Sequence, residues 1–149
     1  MAVDDMQAHA QDDLALERQV CFALSVASRS VVGAYRPVLE PLGLSHPQYL
    51  VMLALWEASP RSLRELADEL ALEPPTLSPL VKRLEAQGLV TRARRSDDER
   101  VLDVTLTAAG TALRRRALDV PVRVMASVGT DAAALSALRD ALAPLAGRR

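Results

Sequence analysis

The side chains with the greatest chemical reach in this sequence are one thiol and a cluster of guanidinium groups. Cys21 is the only cysteine, so no disulfide can close within the chain. A lone thiol suits the reducing cytosol, where the protein is expected. As a thiolate it could attack a peroxide or exchange with another thiol; on an apolar helix it reads first as an inert core residue. Between Pro74 and Arg95 the chain carries Lys82, Arg83, Arg92, Arg94 and Arg95 against the single acid Glu85. This local positive excess is the footprint that a phosphate backbone asks for, although the net charge is only −1. On charge alone, a solvated charged surface reads the same way. His9 and His46 are the only histidines. No base–nucleophile arrangement, metal-ligand cluster or glycine-rich phosphate loop is recognisable. No cofactor or metal is expected, and an enzyme such as a one-cysteine thiol peroxidase has little machinery to work with.

The elements that must position these groups are mostly helical. A chain of 149 residues, half of them apolar but only 3% aromatic, makes one domain whose core is built from Leu, Val and Ala, as in packed helices. Charges interrupt every apolar stretch before it reaches membrane-spanning length. Residues 1–11 are acidic and polar, unlike a signal peptide, and read as a disordered arm. Asp12 to Arg36 reads as a long helix whose wide apolar band (Val20, Cys21, Leu24, Val31, Val32, Tyr35) needs more than one neighbour and so suggests a dimer interface. Pro37 and Pro41 are expected to end it. Ser45 and Gln48 form a capping-box pattern, opening a helix through Trp56 in which Tyr49, Leu50, Met52, Leu53 and Leu55 should be buried. Ser59-Pro60 marks a turn.

Ser62 and Glu65 form a second capping box, opening a short helix to Leu70. After a turn at Ala71–Glu73, a further helix runs to Gln87, with Leu77, Leu80, Val81 and Leu84 inward and Ser78, Lys82 and Arg83 toward solvent. Pro79 is harmless only in a first turn, which leaves open a start near Pro75 or a cap at Ser78. Gly88 stands where a left-handed stop is wanted. Leu89–Arg94 and Val101–Leu106 read as a two-stranded hairpin with a charged tip. Thr107 caps a helix through about Ser127, interrupted at Pro121, and a last helix runs from Asp131 to about Leu145. Short helix, tight turn, second helix and charged hairpin make a winged helix-turn-helix, in a chain that is mainly α with a small β-hairpin wing. The second helix fits the major groove of B-DNA, and the hairpin brings arginines to the backbone or the narrow minor groove.

The stretch from Leu14 to Gly110, about two thirds of the chain, resembles the MarR family of bacterial regulators. Its wing, Asp98-Glu99-Arg100 running to Leu106-Thr107, is similar to that family's wing. The segments Leu16–Leu24, Tyr35-Arg36-Pro37, Pro47–Leu50 and Leu84–Arg92 are similar to the organic-hydroperoxide-sensing repressors of the family, with Cys21 the most specific match. The resemblance implies a homodimer formed by the N- and C-terminal helices (12–45 and 107–149), with residues 46–106 as the DNA-binding part. It implies that Thr76, Ser78 and Arg83 face DNA, that Arg100 enters the minor groove, and that Asp98 steadies it. Arg83 also has the donor fork that suits guanine or phosphate.

The resemblance also implies a redox sensor at Cys21, with an organic hydroperoxide and a low-molecular-weight thiol as effectors. Tyr35 matches a tyrosine that supports the sensor sulfur from the partner subunit. Ser25 and His46 stand where such repressors carry tyrosines, and Pro74-Pro75 replace a Ser-Gly. His46 could still donate a hydrogen bond, and Ser25 could bond a helix carbonyl. The expected partner is double-stranded DNA with a near-palindromic operator. Two other readings stay open beside repression by a peroxide sensor: release by a small phenolic ligand in the dimer cleft with Cys21 structural, and a helical protein-interaction module.

Overall fold

The computed structural model describes residues 14–147; the expected 1–11 arm, His9 and the expected helix start at Asp12 lie outside the described residues. The chain first makes a single 3-10 turn, Leu16–Arg18. The long helix α1 begins only at Val20 and runs to Leu39. Leu14 and Leu16 are exposed, and without packing a lone turn gains little from helix formation. At its other end α1 passes through Pro37 instead of stopping at Arg36. A proline inside a helix costs about 3 kcal/mol. Burying Val38 and Leu39, which keep 5% and 0% of their surface exposed, returns about 1.5–3 kcal/mol each, which offsets it. Pro41 lies in the 3-10 turn Glu40–Leu42, which Gly43 ends in the left-handed region at φ 70°.

Ser45 opens α2, His46–Glu57, with both bonds of the capping box: Gln48 N–H donates to Ser45 Oγ (3.4 Å) and Ser45 N–H to Gln48 Oε1 (2.9 Å). Helix α2 is the central strut, packing on α1 and on the elements that follow. Tyr49, Met52 and Leu55 are buried as expected, but Leu50 is half-buried and Leu53 is 42% exposed, Leu53 facing an open cleft that it shares with Leu118 and Pro121. A short strand β1, Arg61–Ser62, leads into α3, Leu63–Leu70, which is followed by α4, Pro74–Ala86. Strands β2, Val90–Arg94, and β3, Leu102–Leu106, form the hairpin.

The sheet has three antiparallel strands in the order β1-β3-β2, not the two expected. Ser62 pairs with Asp103 and Arg61 with Val104. At two residues, β1 is too short to show an alternation. Helix α5 runs from Ala108 to Ala117 and α6 from Val120 to Val128. The break falls at Leu118–Asp119, ahead of Pro121, because a proline in the first turn of α6 has no amide to carry the preceding helix onward. Helix α6 lies along α1. Helix α7, Ala132–Leu142, buries none of its side chains and ends in a 3-10 turn at 143–146.

Candidate nucleic-acid interface and thiol site

Helices α3 and α4 pack on each other across a short turn, and local contacts set the start and the end of α3. Ser62 Oγ accepts the Glu65 N–H (3.2 Å), and Glu65 Oε2 accepts the Ser62 N–H (2.7 Å). This second capping box keeps the Glu65 carboxyl below its usual range, the Ser62 bonds being the main cause. Ala71 ends α3 in the left-handed region at φ 53°. Pro74 and Pro75 occupy the first turn of α4, where no amide is needed. Pro79 lies one turn further in, so the exposed Pro75 carbonyl loses its i+4 donor and must turn to solvent. Leu77, Val81 and Leu84 are fully buried and Leu80 half-buried. That leaves Thr76, Lys82 and Arg83 exposed, with Ser78 half-exposed beside them.

The wing sorts its cations into two kinds. Arg92 is held by Glu85: Nε and Nη2 donate to Oε2 at 2.8 and 2.7 Å, and the Arg92 backbone N–H donates to Oε1 at 3.1 Å. Arg95 makes a fork to Asp103, at 2.9 and 2.7 Å. These contacts hold the Glu85 and Asp103 carboxyls below their usual range. Arg94 donates only to the Glu99 carbonyl, at 3.1 Å. The Arg100 side chain is 91% exposed; its Nε and its backbone N–H both donate to Asp98 Oδ1 at 3.1 Å, and this pairing lowers the Asp98 pKa. Arg64, on the first turn of α3, shares a cleft of about 760 Å³ with Arg94 and Arg100. Sequence reasoning passed over Arg64 because it lies inside the capping-box pattern, and passed over Glu85 because it registered only as the odd acid in a basic run.

The residues expected around the thiol fall into two groups. Cys21 is exposed at the start of α1, beside the exposed Val20 and Phe22, so within one chain it is no core residue. Ser25 is next to it but donates to the Cys21 backbone carbonyl (2.8 Å), not to the sulfur. Tyr35 lies near the other end of α1. Its ring is tilted against His46, with centroids 4.7 Å apart, and against Tyr49 at 5.9 Å. Burial pushes the His46 pKa below its ordinary 6.5. A cleft of about 660 Å³ opens beside this cluster, lined by Val32, Leu44, His46 and Pro47 and by the cationic Arg29 and Arg36. Among the described residues, no group of His, Cys, Asp or Glu is placed to hold a metal ion, and no helix is long and apolar enough to cross a membrane.

An exposed polar helix face, a tight turn and an arginine-tipped hairpin define a winged-helix DNA-binding protein. The MarR family model matches residues 44–102, from the loop before α2 to the start of β3. The chain is 37% identical over 131 residues to the organic hydroperoxide resistance transcriptional regulator of Bacillus subtilis (strain 168), covering 88% of this chain and 89% of that protein. This chain therefore belongs to the MarR family of transcriptional regulators. Among solved structures, it is similar to reduced AbfR of Staphylococcus epidermidis bound to DNA, with TM-score 0.74, 31% identity and coverage of 93% and 99% of the two chains. AbfR is also known in a disulfide-formed state. CouR of Rhodococcus jostii RHA1, bound to p-coumaroyl-CoA, matches with TM-score 0.71 and 30% identity over 91% of this chain and 97% of its own.

Proposed function

We propose that this regulator is a cytoplasmic, homodimeric repressor that holds a near-palindromic operator and releases it when an organic hydroperoxide oxidises Cys21. The observation that carries the reading is the pairing, on one chain, of a cationic groove-sized helix and wing with an exposed thiol on a helix that also exposes several large apolar side chains. Val20, Phe22 and Val26 stand exposed on the same helix as the thiol, and Leu118, at the break before α6, and Val122 and Val128, on α6, are exposed as well. Covering each is worth about 1 kcal/mol, a fraction of the gain for burying a wholly exposed side chain. A second copy placed by a two-fold axis, using 12–45 and 107–149, supplies that cover. The two copies of 46–106 then present their α4 helices to successive major grooves. Thr76, Ser78, Lys82 and Arg83 meet base edges and phosphates, and Arg94 and Arg100 reach the minor groove or its walls. Arg92 and Arg95 shape the wing and contact DNA less, because each commits two side-chain donors to an acid and is far less exposed than Arg100, which gives its acid one side-chain donor.

In the redox step the Cys21 thiolate attacks a peroxide oxygen. An S–O bond forms as the O–O bond breaks; the sulfur is oxidised, and the alkoxide leaves and takes up a proton as an alcohol. A low-molecular-weight thiol then condenses with the sulfenic acid, forming an S–S bond and releasing water. The bulky adduct sits in the dimer seam and forces the two α4 helices out of register. A nearly complete switch needs about 5 kcal/mol of differential stability. The test is Cys21→Ser: it should bind operator DNA like the wild type and stay bound in hydroperoxide. Release equal to that of the wild type overturns the redox reading. The cleft beside Arg29 and Arg36 favours one second reading, a small phenolic ligand as effector with Cys21 structural. In that case Cys21→Ser still releases DNA when the ligand is added, and peroxide has no effect on either protein.

A further inference from the structure

We infer that Glu85 is a positioning residue for DNA binding, latching the end of α4 to the first strand of the wing so that helix and wing tip meet one duplex at a fixed separation. The inference rests on the reading above, in which α4 and Arg100 hold the same DNA. Three donors of Arg92, two from the side chain and one from the backbone, converge on the Glu85 carboxylate at 2.7–3.1 Å. Charge-assisted bonds of this kind are both strong and directional. Glu85 lies in the last turn of α4 and Arg92 in the middle of β2, so the contact bridges the Gly88 turn (φ 75°) between them. From Arg92 outward the hairpin is held as a unit. Arg92 pairs with Val104 and Arg94 with Leu102 across the strands, and Arg95 is forked to Asp103. The latch thus adds a side-chain tie to the backbone bonds that close this turn, Leu89 N–H to the Leu84 carbonyl at 3.0 Å and Thr107 N–H to the Leu89 carbonyl at 3.1 Å, and carries the connection past them to the middle of β2.

This accounts for a carboxylate that is otherwise a liability. Placed among cations beside DNA, Glu85 repels phosphate, so simple electrostatics says that Glu85→Gln should tighten binding. The latch says the opposite. The test is a double-mutant cycle on Glu85→Gln and Arg100→Ala, reading the affinity of the full dimer for a duplex from the DNA flanking its own gene. Arg100→Ala should cost about tenfold in the wild type but about twofold or less once Glu85 is Gln, because a free wing has already lost the contact. Glu85→Gln alone should weaken binding. Equal Arg100→Ala losses in both backgrounds, or tighter binding by Glu85→Gln, overturns the latch. If Arg100→Ala has no effect in the wild type, the wing contact itself fails, and with it the reading on which the latch depends. Should Glu85→Gln lower the melting temperature enough to compromise the assay, Arg92→Lys replaces it in the cycle, since it keeps the charge and loses the fork, and the same two patterns decide.

Discussion

Arg100 carries its charge at the exposed end of the wing, tied only to the neighbouring Asp98. A pairing so close to the surface is worth little by itself, which leaves the guanidinium available for a stronger acceptor. Arg100→Ala should lower the slope of log affinity against log salt by about one, as for the loss of one displaced counterion; titrations across a salt series measure it. His46 gives a pH signature. Its folded pKa lies below 6.5 through burial, so the unfolded chain binds more protons as the pH falls. Stability should therefore decline as the pH falls from about 6.5 downward through the folded pKa. His46→Gln should flatten the melting temperature between pH 7.5 and 5.5, and an undiminished slope in the variant would assign the effect elsewhere. At this scale the sequence names the right residue types but not their commitments. Arg92 and Arg95 read as free cations because their acids, Glu85 and Asp103, become neighbours only when the chain turns at Gly88 and the hairpin closes.

The elements owe their boundaries to a few local contacts. Both capping boxes were legible, since spacing alone sets them. Ser62→Ala removes one bond of the box that aims α3, and should cost about 1 kcal/mol in denaturant unfolding. Gly110 is a tighter case. A Cβ there would stand 2.0 Å from the Leu89 carbonyl oxygen and 3.2 Å from a Leu106 methyl, where the wing meets α5. Alanine gains about 1 kcal/mol of helix propensity, but the opposing atom is backbone and cannot step aside. Gly110→Ala should therefore destabilise by about 1–3 kcal/mol net, read from the urea midpoint. The same carbonyl network includes the Trp56 Nε1–H bond to the Gly110 oxygen at 2.9 Å, a contact across the fold that no pattern in the sequence announces. Pro37 and β1 escaped for related reasons. Tertiary burial of Val38 and Leu39 overrides a local helix breaker, and a two-residue strand exists only because β3 lies beside it.

At the scale of the molecule, one chain leaves large apolar side chains exposed on α1, α6 and α7, among them Val20, Phe22, Val122, Val128 and Leu138. In the proposed dimer, Val122→Asp places a charge in the seam and should shift the protein toward monomer in light scattering, with a matching loss of operator affinity. Footprints should show two half-sites about one helical turn apart; protection confined to a single half-site would argue against paired helices. Cys21 and Tyr35 lie on the same continuous helix, about 21 Å apart along its axis, so within one chain that hydroxyl does not reach that sulfur. Any partnership between them takes two chains, each lending half. In the proposed redox switch, the thiol's surroundings would then vary with how much protein the cell contains: dilution toward the dissociation constant would strip the sulfur of its neighbour, and the oxidant dose needed for release would become a function of regulator abundance as well as of peroxide.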